Sequence, residues 1–233
     1  MITLYPDSER NKADLGWLKT GRSFSFGDYQ DENNMAFGPL RVFNDDVIAP
    51  GRGFGAHPHS DMEIVSIVLS GQLRHEDSMG NEAITTFGGV QRMSAGSGVI
   101  HTEHNPSQEE EVNLLQIWFM PAERGKQPSY TTSQFDPEQL KGRLLPVVTP
   151  VGSSTAADIG QDLTIYMSRL QAGESVRFHQ DAGRRTFLFV IEGELSLQEE
   201  YKLGTRDSAR IIQVTDLDLT AKDEVLFMLI DLP

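Results

Sequence analysis

The 233-residue chain contains no cysteine. Disulfides, thiolate metal sites and cysteine nucleophiles are therefore excluded. Positive charge is scarce as well, with 20 Lys and Arg against 34 Asp and Glu and a net charge of −14. A surface so negative repels phosphate backbones and anionic lipids, so neither direct nucleic-acid binding nor membrane association is expected. No apolar run approaches the roughly 20 residues that span a bilayer. The first ten residues carry Asp7 and Glu9 and lack an apolar signal core, so the expected location is the cytoplasm.

What the chain does have is a succession of short apolar stretches separated by glycine-rich turns. From Asp46 onward, VIAPG, the HPH stretch, EIVSIVLSG, QLRHED, EAITTF, VQRMSAGSG, VIHTEH and VNLLQIWFMP follow one another. That spacing predicts an antiparallel sandwich or barrel. Before them, the alternating Ser23-Phe24-Ser25-Phe26 reads as a strand, and Leu40 to Phe43 as another. Residues 121–145, with Pro121, Pro128 and Pro137, read as a linker, and Asp136 to Leu140 as one short helix.

The second half repeats the first. An ungapped offset of 122 places His57 on His179, Val68 on Val190, Gly71 on Gly193 and Leu73 on Leu195. Two copies of one β module are expected, with residues 1–125 forming the first domain and 126–233 the second. Asp181 stands opposite His59 and Arg185 opposite Glu63, so the second copy is expected to have lost whatever site the first holds.

That site lies between Gly51 and Asn105, which contain five of the six histidines. His57 with His59, and His101 with Glu103, are pairs at i and i+2, a spacing that puts both members on one face of a strand. Together they offer three imidazoles and a carboxylate, a donor set suited to a divalent transition metal. Glu63 lies four residues past His59, so strand phase alone admits it as the carboxylate. His75 reads as a satisfied structural histidine, and His104, out of phase with His101, should face away or sit at the rim. Asp61 and Asn105 could orient ligand imidazoles or serve as turn residues. His179 is left as a relic, structural or lining a second cavity.

Gly51, His57, His59, Glu63 and Gly71 resemble the first cupin motif, with seven residues rather than six between Glu63 and Gly71. Gly98, His101 and Asn105 resemble the end of the second motif, in which Gly96 replaces the usual proline. The likeness narrows to the pirin family. It is carried by Gly16-Trp17-Leu18, Ser23 to Phe26, Leu40-Arg41-Val42, Asn44-Asp45-Asp46, Gly53-Phe54 and His57-Pro58-His59. Asp61 to Ile64, His75 to Ser78, Val90 to Met93 and His101 to Asn105 extend it.

The resemblance implies an all-β bicupin, two double-stranded β-helix (jelly-roll) barrels related by duplication, with metal in the first. It implies the ligand set His57, His59, His101 and Glu103, leaving Glu63 a supporting role. It also implies quercetin 2,3-dioxygenase activity, in which O2 opens the flavonol heterocycle and CO is released. Glu103 then serves as ligand, as acceptor of the 3-hydroxyl proton, or as both in turn. Fe(II) heads the expected metals, with Ni(II), Cu(II), Mn(II), Co(II) and Zn(II) accepting the same ligands. The partners expected are a small aromatic substrate and O2, on a monomer. A different class of function, a metal-dependent regulator acting through protein contacts without turnover, is compatible with the same residues, and a sugar isomerase or inert remnant is a more distant alternative.

Overall fold

A computed structural model describes all residues 1–233. Its first strands are β1 (Ile2–Tyr5), β2 (Asn11–Asp14), β3 (Leu18–Arg22), β4 (Leu40–Ile48), β5 (Gly53–His59), β6 (Glu63–Ser70) and β7 (Leu73–Asp77). There follow β8 (Glu82–Thr85), β9 (Gly89–Ser94), β10 (Val99–His104), β11 (Val112–Phe119), β12 (Ser129–Gln134), β13 (Leu145–Thr149), β14 (Ala157–Asp158) and β15 (Thr164–Leu170). The last are β16 (Ser175–His179), β17 (Arg185–Glu192), β18 (Leu195–Leu197), β19 (Tyr201–Leu203), β20 (Ser208–Ile212), β21 (Asp216–Ala221) and β22 (Val225–Leu232). The only helical pieces are two 3-10 turns, Asp7–Glu9 and Pro137–Leu140. The second is the short helix expected from sequence. Asp136 caps it by accepting the Glu138 N–H at 3.0 Å, and Pro137 takes the first position.

The chain divides into two compact units. The N-terminal unit comprises residues 11–135 and 150–161. One of its sheets runs β12-β9-β6-β11-β4-β3-β2 and the other β5-β10-β7-β8. The C-terminal unit comprises residues 1–10, 136–149 and 162–233. Its strands run β1-β20-β17-β22-β15-β13 and β16-β21-β18-β19. The two orders correspond strand for strand except for β2, which has no counterpart in the C-terminal unit, and this is the bicupin duplication in structural form. The offset of 122 carries β6 onto β17 from end to end. The C-terminal unit fills its interior with apolar side chains, among them Phe178, Leu188, Leu197, Leu219 and Phe227, each no more than 6% exposed.

Three local expectations are corrected. The run Ser23 to Phe26 is not a strand. Pairing ends at Arg22, and the chain turns so that Phe24 is buried while the Arg41 guanidinium binds the Ser25 carbonyl. The stretch 121–145 is not only linker, since β12 within it pairs with β9 along its full length, from Ser129↔Ser94 to Gln134↔Gly89. Its sequence, SYTTSQ, has strand propensity but little apolar content, as suits an edge strand.

The third correction concerns the domains. They interleave along the chain where one cut between residues 125 and 126 is expected. Ile2 and Leu4 on β1 pack on the C-terminal core, so β1 supplies in that unit the edge position that β12 supplies in the other.

Candidate metal centre

The site is built on β5 and β10, which pair antiparallel with Val99 opposite His59 and His101 opposite His57. A bulge between His101 and Glu103 shifts the register, so that Glu103 comes opposite Phe54. Alternation persists along β10 itself: Val99, His101 and Glu103 are buried while Ile100, Thr102 and His104 are not. Gly53 makes the close approach of the two strands feasible. A Cβ there would run into the His104 Cβ and the Glu103 carbonyl oxygen, far inside van der Waals contact.

The structure brings the three predicted histidines together. One ligand atom each from His57, His59 and His101 lies within 4.8 Å of the others. Proton bookkeeping gives these contacts their meaning. His57 Nδ1 lies 2.7 Å from the Gly55 carbonyl, which can only accept, so the proton sits on Nδ1 and Nε2 carries a lone pair. Asp77 Oδ2 lies 3.0 Å from His75 Nε2, and His75 Nδ1 lies 3.4 Å from His101 Nδ1. With Asp77 ionised, His75 donates from Nε2 and accepts at Nδ1 from His101, which leaves the His101 Nε2 lone pair free. His57 Nε2 and His101 Nε2 then face each other across 3.0 Å with no proton between them.

Two lone pairs at that distance repel unless a cation joins them. Two nitrogens each about 2.1 Å from one ion and at right angles to it lie about 3.0 Å apart. His59 Nε2 is also buried with no hydrogen-bond partner. The donor set therefore fits a metal ion.

Electrostatics point the same way. Burial, then the neighbouring His57 charge, lowers His59 to about 4. Burial, followed by the neighbouring histidines and opposed by Asp77, lowers His101 to about 3. Both are free bases at neutral pH, so a metal need not displace their protons.

Glu103 is drawn slightly apart. Its nearest potential ligand set is His75 and His101. Burial pushes its carboxyl up against the opposing pull of Ser66, His75 and Gln116. The Ser66 hydroxyl donates to Oε1 at 2.8 Å and the Gln116 amide to Oε2 at 2.5 Å. Each oxygen thus has one donor, an arrangement that can stabilise the anion.

Glu63 faces the other way. It stands three residues before Ser66 on β6, an odd spacing that turns it to the opposite face. Its Oε2 accepts from Ser94 at 2.6 Å and from the Gly160 N–H at 3.1 Å. It is a structural tie. Asp61 and Asn105 are turn residues: Asp61 has φ of 48° and accepts the Gly125 N–H, and Asn105 binds the Ile48 and Glu110 carbonyls. His179 is exposed and pairs with Asp216 at 3.0 Å.

Beside His57 and Glu103 opens a cavity of about 410 Å³. Trp17, Phe26, Phe54 and Trp118 give it aromatic walls, and Asn44, Asp46 and Gln116 are its polar members. Burial, reinforced by the Asp45 and Glu103 charges and opposed by Thr20 and Arg22, raises the Asp46 carboxyl to about 7.

Sequence reasoning missed these polar positions and the part His75 takes in orienting His101. A detectable signal was the polar residue at even spacing inside an apolar strand: Asn44 and Asp46 in LRVFNDDVI, Ser66 in EIVSIVLS, Gln116 in VNLLQIWF. We expect His75→Ala to weaken metal binding about 10–100-fold, as loss of a partner that orients a ligand does. Calorimetric titration checks this, and an unchanged affinity would show that Asp77 and His75 do not orient His101.

A family model described as Pirin matches residues 6–119, and one described as Quercetinase C-terminal cupin domain matches 146–232. The chain is 40% identical to an Escherichia coli protein named quercetin 2,3-dioxygenase, over 100% of this chain and 99% of that one. It is 38% identical to a pirin-like protein of Caulobacter vibrioides, over 99% of each. A crystal structure of the bacterial pirin YhhW from Escherichia coli in complex with nickel(II) superposes with a TM-score of 0.94 at 38% identity, covering 100% of this chain and 99% of that one.

Proposed function

The chain belongs to the pirin family, and from that premise we propose that it is a metal-dependent dioxygenase that opens flavonols such as quercetin with O2 and releases CO. The observation that carries this reading is the set of lone-pair-bearing imidazoles beside an aromatic-walled cavity. His57, His59 and His101 would hold the ion, with Glu103 as fourth ligand. The ion, when bound, supplies Lewis acidity toward the flavonol's 3-hydroxyl and an electron path to O2. Relatives named for quercetin cleavage, and the nickel(II) complex of one family member, support the reading.

The protein's own groups have separable tasks. A cavity of about 410 Å³ falls in the range of about 300–1,000 Å³ usual for small-molecule sites. Trp17, Phe26, Phe54 and Trp118 would pack on the planar ring system and keep water from it. Glu103 would take the 3-hydroxyl proton onto its carboxylate, and Ser66 and Gln116 would hold that carboxylate in place and stabilise its charged form.

The test is anaerobic reconstitution with Fe(II), Ni(II), Cu(II) or Mn(II), followed by quercetin and O2, reading absorbance loss and CO release. We expect metal-dependent turnover that His59→Ala abolishes. Stoichiometric metal binding without turnover would overturn the dioxygenase reading in favour of a metal-dependent regulator.

A further inference from the structure

Asn44 and Asp46 stand two residues apart on β4 and so share the face that lines the cavity. Each is 3% exposed, and Oδ1 of each is buried without a hydrogen-bond partner. Their neighbours explain why. At the level of Asn44 the adjacent strands present Arg22 and Gln116, and at the level of Asp46 they present Thr20 and Leu114. Arg22 directs Nη1 to Asp28 and Asn11 while its buried Nε finds no partner, and the Gln116 amide nitrogen donates to Glu103. Leu114 has nothing to donate. The Thr20 hydroxyl draws the Asp46 carboxyl down as a hydrogen-bonding neighbour, yet Asp46 Oδ1 itself receives no hydrogen bond. Oδ1 of each therefore meets the aromatic cavity without a hydrogen bond from the protein, in the same lining as the Trp118 Nε1–H, which is also buried without a partner. Leaving such groups unmet is unfavourable, and the shortfall specifies the complement, an aromatic ring system that carries O–H donors.

The ion-binding histidines and Glu103 lie on β5 and β10 of one sheet, whereas Asn44 and Asp46 lie on β4 of the other. We propose that Asp46, with Asn44 beside it, forms a subsite that positions the substrate by accepting a hydrogen bond from a phenolic hydroxyl other than the 3-hydroxyl. This rests on the flavonol reading above and adds to it a substrate preference: flavonols with ring hydroxyls over the bare 3-hydroxyflavone.

The experiment is anaerobic binding of quercetin and of 3-hydroxyflavone to the nickel(II)-loaded protein, followed by the ligands' absorbance, for wild type, Asp46→Leu and Asp46→Asn. Leucine is near in size and removes both acceptors. It also removes a buried carboxyl with an unmet oxygen, so a melting temperature at or above wild type is expected, and the Asp46→Asn chain serves if the leucine chain does not fold. We expect Asp46→Leu to raise the Kd for quercetin about 10–100-fold, the worth of one hydrogen bond to a carboxylate. The Kd for 3-hydroxyflavone should stay within about twofold, whereas a merely structural role would move both ligands alike. Equal loss for both, or no loss for quercetin, overturns the subsite while leaving the flavonol reading in place. Failure of the wild type to bind either flavonol overturns that reading and the subsite with it.

Discussion

A His101→Ala chain is expected to keep its fold and lose its metal. The His101 ring is the hub of the site, with centroids 4.5 Å from His57, 4.8 Å from His59 and 5.2 Å from His75. Its Nε2 faces His57 Nε2 across 3.0 Å, and its Nδ1 reaches the His75–Asp77 pair. With His101 as a ligand, truncation removes a nitrogen donor together with its orienting link through His75 to Asp77, so the loss should exceed the effect of His75→Ala. In the metal-free chain the same truncation relieves the facing lone pairs, which offsets part of the cavity it leaves.

The clearest readout is the metal-induced rise in melting temperature. An ion at about 1,000 times its Kd stabilises the folded chain by about 4 kcal/mol. At about 2–4 °C per kcal/mol for a chain of this size, the wild type should gain about 8–16 °C on adding nickel(II). The His101→Ala chain should gain none and should turn over no quercetin. A gain equal to that of the wild type would show that His101 does not hold the ion.

The fold class and the histidine pairs were legible in the sequence for a physical reason. Strand alternation has a period of two, so His57/His59 and His101/Glu103 were expected to share faces, and along β10 the alternation of buried and less buried side chains persists through the bulge. The duplication was legible because β6 and β17 are central, apolar strands of equal length. What stayed hidden depends on contacts between strands remote in sequence. Whether Glu63 or Glu103 faces inward turns on which neighbour each finds: Ser94 and Gly160 for the first, Ser66 and Gln116 for the second. The linkage from Asp77 through His75 to His101 arises only because β10 lies between β5 and β7. The assignment of β1 and β12 to different units was equally out of reach, because edge strands of 4 and 6 residues are too short for their side-chain pattern to reveal which core they join.

Asp158→Asn is expected to destabilise the N-terminal unit by about 2–3 kcal/mol, an effect of charge and not of packing. Arg92 is buried, its side chain 2% exposed, and its guanidinium ties β9 to residues 150–161, where Thr131 also donates to Asp158 Oδ1. It donates from Nε to the Asp158 carbonyl at 2.9 Å and from Nη2 to Asp158 Oδ1 at 2.6 Å. Its Nη1 reaches Ser129 Oγ at 2.7 Å and Ser94 Oγ at 3.1 Å. Asparagine keeps the shape of the aspartate and removes the charge, which leaves the guanidinium without its counter-ion. A fully buried pair broken this way costs about 3–5 kcal/mol. The Asp158 side chain is 45% exposed, so water compensates in part and the lower figure follows. The dependence on pH separates charge from packing. Burial pushes the Asp158 carboxyl up, but the hydrogen bond and charge of Arg92 outweigh it and hold the group below its ordinary value of 3.8. A carboxyl depressed in the folded state contributes stability that is present above the unfolded value and is lost as pH falls through the folded one. Urea midpoints should therefore show a constant gap between wild type and Asp158→Asn from about pH 7 to 5, closing as the pH drops below 3.8. A gap that persists unchanged into that acid range would mean that asparagine disturbs packing, and the ion pair would then not be what secures the segment.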